Sequence, residues 1–210
     1  MKLTIKYIIT SLSIYSLLLA GDEARIGTSG ANQLLVPVGA RGVAMSGSDL
    51  VYSHGLESAY WNPAGLSRLE GATVLASQMK MFGDVGVSFF GAGSKLGSTG
   101  SVGLTIKSLD LGDIPVTTVE AMDGTGNTFK PNMTTLALTY ANAFSDKARF
   151  GISVKAITES IPRASASAFA LDAGVQYENL NDIEGLGIGL VLKNIGTDMH
   201  YEGSGLTTTA

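Results

Sequence analysis

The sequence predicts an all-β fold: an antiparallel transmembrane β-barrel with about seven strands visible, preceded by an N-terminal segment that does not alternate. Three observations predict it. From Gly71 onward the chain breaks into runs of about ten residues in which apolar residues alternate with small or polar ones. In those runs the charged residues fall on the small-residue face, the reverse of a soluble sheet with a dense inner face and a charged surface. The run length matches the roughly 9–11 residues that a tilted membrane-spanning strand needs.

The chain opens as an export signal. Lys2 and Lys6 precede an uncharged run from Tyr7 to Ala20, followed by Gly21, Asp22 and Glu23. This is the order of a cleaved secretory signal over residues 1–20, and the uncharged run is shorter than the roughly 20 residues of a spanning helix. Composition agrees with strands that pack closely and turn sharply: of 210 residues, 27 are Gly and only 15% are charged, against about 25% in ordinary globular domains. A formal charge of -4 leaves no basic footprint for nucleic acid, and the absence of Cys excludes disulfides and thiolate metal sites.

Residues 21–69 precede the strands, and within them Gly39 to Leu66 do not alternate. Gly39-Ala40-Arg41-Gly42-Val43-Ala44-Met45-Ser46-Gly47 is small and flexible. Leu56 to Trp61 has the makings of a helical turn that Pro63 stops, because the residue before a proline disfavours the helical region. Ala59-Tyr60-Trp61-Asn62-Pro63-Ala64-Gly65-Leu66 reads as a rigid turn with two aromatic anchors, in which Asn62 hydrogen-bonds its own backbone.

Residues 70–210 supply the barrel strands. Val85, Val87 and Phe89 alternate with Gly86, Ser88 and Phe90; Val102, Leu104 and Ile106 with Gly103, Thr105 and Lys107; Leu136, Leu138 and Tyr140 with Thr135, Ala137 and Thr139. Phe150, Ile152, Val154 and Ala156 oppose Gly151, Ser153 and Lys155. The cleanest run sets Phe169, Leu171, Ala173, Val175 and Tyr177 against Ala170, Asp172, Gly174 and Gln176, and the last sets Leu186, Ile188, Leu190 and Leu192 against Gly187, Gly189 and Lys193. Ser145 to Lys147 is a short turn, Asp110 to Lys130 a long loop expected outside the cell, Ser160 to Ala166 a medium loop, and Asn179 to Glu184 a compact polar turn. About seven strands is an odd number for a bacterial barrel and leaves an open edge, so the expectation is the N-terminal half of a larger barrel.

The stretch Gly39-Ala40-Arg41…Met45…Gly47, followed by Tyr60-Trp61-Asn62-Pro63-Ala64-Gly65-Leu66, resembles the N-terminal signature of the PorV/PorQ family, a branch similar to the FadL-type outer-membrane barrels. The likeness continues through Thr139-Tyr140-Ala141, Gly151 to Lys155, Leu171 to Tyr177 and Lys193-Asn194-Ile195-Gly196. Ser46 stands where family members often have Gly, and the chain has about half the length expected of a family barrel. The resemblance implies a plug inside the barrel, carried by Arg41, Trp61, Asn62, Pro63 and Gly65. It also implies one of two activities. PorV-like members are accessories of type IX secretion that hold exported proteins at the cell surface; FadL-like members pass hydrophobic molecules. The motif matches both branches.

Residues with chemistry are few. His54 and His200 stand apart without carboxylates at ligand spacing, Gly93-Ser94-Lys95 lacks the rest of a phosphate loop, and Asp110, Asp113, Glu120 and Asp123 lack calcium-loop spacing. Asn132-Met133-Thr134 is a chance-level sequon. No catalytic residue, metal site or cofactor is expected, and the chain is not expected to be an enzyme. Lys107, Lys155, Asp172, Gln176 and Lys193 share the small face and are expected to face the lumen. They form either a polar pathway or plug-holding network, or plain lumenal packing in which the lysines pair with Asp172 and with plug carboxylates. The expected setting is the outer membrane of a Gram-negative-type bacterium. The expected partners are lipid together with secretion components and exported proteins, or a hydrophobic ligand. A soluble exported β-sandwich adhesin is the remaining alternative.

Overall fold

The computed structural model describes residues 30–206. The export signal expected over residues 1–20 and the last four residues lie outside the described region. No described helix is long and apolar enough to cross a membrane.

The chain from Ala31 to Leu69 is irregular, with short helical pieces. A 3-10 turn at Asn32–Leu35 leads to helix α1 (Ala40–Ala44), then to helix α2 (Ser58–Trp61) and a second 3-10 turn at Pro63–Arg68. The junction of the last two follows from Asn62 and Pro63. Asn62 is extended, with φ -151° and ψ 107°, so α2 stops; its side chain then accepts a hydrogen bond from Ala64 N at 3.2 Å and caps the next turn, which Pro63 opens. Both the helical turn and the self-capping asparagine agree with the sequence.

Ten strands follow: β1 (Thr73–Lys80), β2 (Gly86–Lys95), β3 (Ser101–Asp110), β4 (Ile114–Pro115), β5 (Thr128–Phe129), β6 (Asn132–Ala143), β7 (Ala148–Ile161), β8 (Ala164–Tyr177), β9 (Ile188–Gly196) and β10 (His200–Glu202). Seven of them are long, as the sequence predicts. Eight form one antiparallel sheet in the order β1-β2-β3-β6-β7-β8, with β9 and β10 both pairing along β8; β4 and β5 make a separate ladder inside the long loop. β9 covers Ala170 to Tyr177 and β10 covers Ser165 to Ser167, so the two are one strand interrupted over 197–199. Among the described residues no ladder joins β1 to β9 or β10, and a closed barrel is not formed by these strands alone.

The sheet buries its small face and exposes its large one. Along β8 every second residue from Ala166 to Gln176 is buried, while Phe169, Leu171, Val175 and Tyr177 are exposed. On β3, Lys107 is 4% exposed and its neighbour Ile106 is 41% exposed. The registers align the large residues into rows, such as Leu104, Leu138, Val154, Leu171 and Ile195. What covers the small face is the segment Ala31–Leu69, whose Leu34, Val38, Leu56 and Leu66 enter three apolar clusters with strand residues.

Two expectations are corrected. In β2 the large residues Val87 and Phe89 face the N-terminal segment, not outward, and Phe90 holds the outer position. Register decides this: Phe89 pairs with Lys107 and Val87 with Leu109, and both fill a cluster with Val38. Ser160–Ala166 is not a medium loop. Pairing continues to Ile161↔Ala164, so only Pro162 and Arg163 turn the chain, and β7 and β8 reach 14 residues each. The long connection after Asp110 and the short turns around Ser145 and Asn179 stand as expected, the last with left-handed Asn179, Asn181 and Asp182.

Ser46 has φ 52° and an exposed side chain with no hydrogen bond of its own, at the position where a left-handed backbone favours Gly. Ser46→Gly is expected to stabilise the fold by about 0.5–1 kcal/mol, read as a rise in the denaturant midpoint at unchanged slope.

Candidate functional site

The site is the contact between the N-terminal segment and the small face of β3, β6, β7, β8 and β9. Its centre is a pair of glycines. Gly151 on β7 and Gly174 on β8 are cross-strand partners, and a Cβ on either would strike Asn62 or Pro63: at Gly151 the Pro63 carbonyl, at Gly174 the Asn62 Oδ1. Two absent side chains thus make a saddle in which the Asn62-Pro63 backbone rests. Asn62 is fully buried there. Its Nδ2 donates to Leu50 O at 2.9 Å, within its own segment, and to Val175 O at 3.1 Å, on the strand. Gly65 is equally constrained, since a Cβ would strike the Ser53 carbonyl.

Around this centre the strand side chains satisfy the irregular backbone of the segment. Gln176, fully buried, donates from Nε2 to Leu50 O at 2.9 Å and Ser53 O at 3.0 Å. Lys107 donates to Gln33 O at 2.6 Å and Val36 O at 2.9 Å. Within the segment, Trp61 Nε1 donates to Val38 O at 2.9 Å. A buried backbone carbonyl without a donor costs about as much as a lost hydrogen bond. Asn62, Gln176, Lys107 and Trp61 therefore supply donors to the carbonyls of Val36, Val38, Leu50 and Ser53, which no backbone N–H of the described segment meets.

Charge is arranged asymmetrically. Lys155 pairs with Asp172 at 2.5 Å and donates to Asn194 Oδ1 at 2.9 Å, while Asn194 N donates to Asp172 Oδ1 at 2.8 Å. Asn194 has φ 59° and lies where the β8–β9 register slips between Leu171 and Ala173, a bulge that turns both Lys193 and Asn194 toward the segment. The Lys193 ammonium stands 3.9 Å from the Tyr60 ring centroid and 5.9 Å from that of Trp61; the Lys107 ammonium stands 4.7 Å from Tyr60. Burial, and then the Asp172 charge, pushes the Tyr60 hydroxyl up to about 12. Arg41 is more exposed and pairs with buried Asp49 at 2.8 Å.

All five expected lumen-facing residues thus face the N-terminal segment, and all five expected plug residues lie in it. The expected pairing of Lys155 with Asp172 is present. The expected pairing of lysines with plug carboxylates is not: among the described residues, Lys107 and Lys193 have no carboxylate within ion-pair distance, and carbonyls and rings take their place. Several participants carry no sequence signal. Gln33 is buried and donates to Thr134 O at 3.3 Å and Thr158 O at 3.4 Å. Arg68 and Arg149 close on one carboxylate, Glu178: Arg68 by an ion pair, Arg149 at 3.2 Å. Burial, and then Arg149, lowers the Arg68 guanidinium below its ordinary value. Beside them lies an open cavity of about 580 Å³ with mixed charge from Arg68, Glu70, Lys95, Asp146 and Arg149.

Among the described residues no three His, Asp or Glu side chains gather where a metal ion could be held. The arrangement is one of holding: donors, small residues and rings fix a backbone segment to a sheet. No protein-family model, curated protein or solved structure matches the chain.

The saddle makes a sharp expectation. Gly174→Ala should cost about 1–3 kcal/mol through overpacking against Asn62, and Asn62→Ala about 1–3 kcal/mol by removing the donor to Val175 O and the acceptor for Ala64 N, while Leu50 O keeps Gln176. Gly71→Ala, where a Cβ meets open space, should change stability by less than about 0.5 kcal/mol. Reversible chemical unfolding of the three variants measures this.

Proposed function

We propose that the chain is an exported outer-membrane β-barrel protein of a Gram-negative-type bacterium, a PorV/PorQ-like accessory of type IX secretion that binds or presents exported proteins at the cell surface, and not an enzyme. The observation that carries the membrane part is the outward face of the sheet. From β2 to β9 its middle rows are Leu, Ile, Val, Phe, Ala and Tyr, and the charged outward residues, Lys80 of β1, Asp110 of β3 and Glu202 of β10, sit at strand ends. Such an area of exposed apolar surface is too large for a face meant for water. Phe169 to Tyr177 covers about 26 Å along β8 at roughly 3.3 Å per residue, and a tilt of about 40° brings this to about 20 Å, near the ~25 Å band of outer-membrane barrels. Tyr140, Phe150 and Phe144 stack at one margin, with ring centroids 6.1 and 4.4 Å apart, as aromatic girdles do. In lipid the edges of β1 and β9 need partners, so further strands would close the barrel.

The plug supports presentation over transport. It is fixed to the strands by Asn62, Gln176 and Lys107; the cavity beside Tyr60 holds about 20 Å³, and the larger one of about 580 Å³ is lined mainly by charged and polar residues such as Arg68, Glu70, Lys95, Asp146 and Arg149, unlike the apolar passage a FadL-like channel would need. A β-sandwich adhesin would cover the apolar face with a second sheet, and among the described residues nothing covers it.

The protein should stay with membranes through carbonate and high-salt washing and leave only with detergent; release without detergent overturns the membrane assignment. A deletion strain should lose surface-exposed exported proteins while taking up hydrophobic substrates normally, and the opposite result rejects the secretion role.

A finer reading comes from folding into lipid vesicles. Leu138→Arg, in the middle of the outward face of β6, is expected to cost about 2–4 kcal/mol, and Thr158→Arg, near its margin, at most about 1 kcal/mol. Equal, small costs at both positions speak against lipid on this face.

A further inference from the structure

We propose that the cavity beneath Tyr60 binds one monovalent inorganic anion of halide size, held by the ammonium groups of Lys107 and Lys155 and the hydroxyl of Thr135. The inference rests on what lines the cavity and not on the membrane setting. Its lining includes Leu34, Tyr60, Phe89, Lys107, Thr135 and Lys155. Its volume of about 20 Å³ suits a single occupant near the size of a water molecule, and excludes sulfate or an organic carboxylate.

The lining is rich in donors. An ammonium has three N–H groups. Lys107 uses two, on the carbonyls of Gln33 and Val36; Lys155 uses two, on Asp172 and Asn194. Each keeps one. The Thr135 hydroxyl is buried without a partner, and the residue is 5% exposed. Tyr60 spends its own hydroxyl proton on Leu35 O at 3.3 Å. The unpartnered Gln33 Oε1 does not belong to the lining. The Thr105 and Thr135 hydroxyls are the other polar side chains of the lining, and a halide, which only accepts, answers the spare N–H groups and hydroxyl protons together.

Charge points the same way. Lys107, Lys155 and Lys193 gather around Tyr60 and Asp172, and Asp172 is the carboxylate in ion-pair contact with this group, at Lys155. Three buried or half-buried lysines against one carboxylate are a costly excess whenever they are charged, and one bound halide favours their charged form.

Trp61 is the single tryptophan of the chain, and its ring stands 5.0 Å from that of Tyr60. Iodide, a halide and a quencher, can therefore report occupancy. The whole protein, folded in detergent in halide-free gluconate buffer, is titrated with iodide at constant ionic strength. The expected result is a saturable loss of Trp61 fluorescence above the linear collisional background, displaced by chloride and not by sulfate. Lys107→Met should abolish the saturable part. Because that variant also strips two carbonyls, Thr135→Val carries the decision: it keeps the charges and the shape, and should weaken iodide about tenfold or more, the worth of a hydrogen bond to a charged group. Strictly linear quenching, displacement by sulfate as readily as by chloride, or an unchanged iodide affinity in Thr135→Val overturns the proposal.

Discussion

The structure depends on the contact of Asn62 and Pro63 with the paired glycines Gly151 and Gly174. A strand pair bearing side chains at those positions would hold an irregular backbone several ångströms away. With the Cβ atoms gone, Asn62 reaches Val175 O at 3.1 Å, and the rest of the segment is placed as a consequence. Leu50, held by the same amide group, is also held by Gln176. Tyr60 and Trp61, immediately before Asn62, are carried over Lys107 and Lys193. One turn thus fixes both ends of the site.

Backbone satisfaction explains the composition of the buried face. A helix or sheet pairs its own carbonyls, but Ala31 to Leu69 contains only short helical pieces. Its open carbonyls at Val36, Leu50, Val51 and Ser53 are met by Lys107, Gln176, Asn62 and Arg68, and Lys107 adds a second donor to the Gln33 carbonyl that Val36 N already bonds. Long donors such as Lys and Gln suit this because they cross the gap that Gly, Ala, Ser and Thr leave beside them. The charges on the small face are therefore structural donors first. An apolar replacement of Lys107 would save the cost of burying an ammonium and leave the Val36 carbonyl bare.

How far the sequence reveals this follows from the same physics. β8 is legible because Phe169, Leu171, Val175 and Tyr177 hold one face against Ala170, Asp172, Gly174 and Gln176, with only Ala173 breaking the contrast in size. β2 is not, since Phe89 and Phe90 are adjacent and only the pairing of Phe89 with Lys107 decides which one faces inward. The run from Ser160 to Ala166 looks like a loop because it combines Ser, Ala and Pro, yet cross-strand pairing overrides weak local preference and extends both strands. Asn62-Pro63 is legible as a turn, while its seat is not. Gly151 and Gly174 become one feature only once register sets them opposite each other. Arg68, Arg149 and Glu178 meet across more than half of the barrel-strand region with no spacing to announce them.

The bulge at Asn194 shows how the two faces are kept distinct. Strict alternation through Lys193 and Asn194 would send one of them to the apolar face. The left-handed residue there takes up one position, so Lys193 and Asn194 both turn inward and Ile195 resumes the outer row beside Leu171. Asp172, opposite the slip, bonds the freed Asn194 amide and receives Lys155 as well. The irregularity therefore concentrates three polar groups on the inner side at the strand where the outer side is most uniformly apolar. In the proposed membrane setting a polar side chain on that outer row would face lipid. The break in the ladder leaves no orphaned amide there, because Asp172 bonds Asn194 N at 2.8 Å.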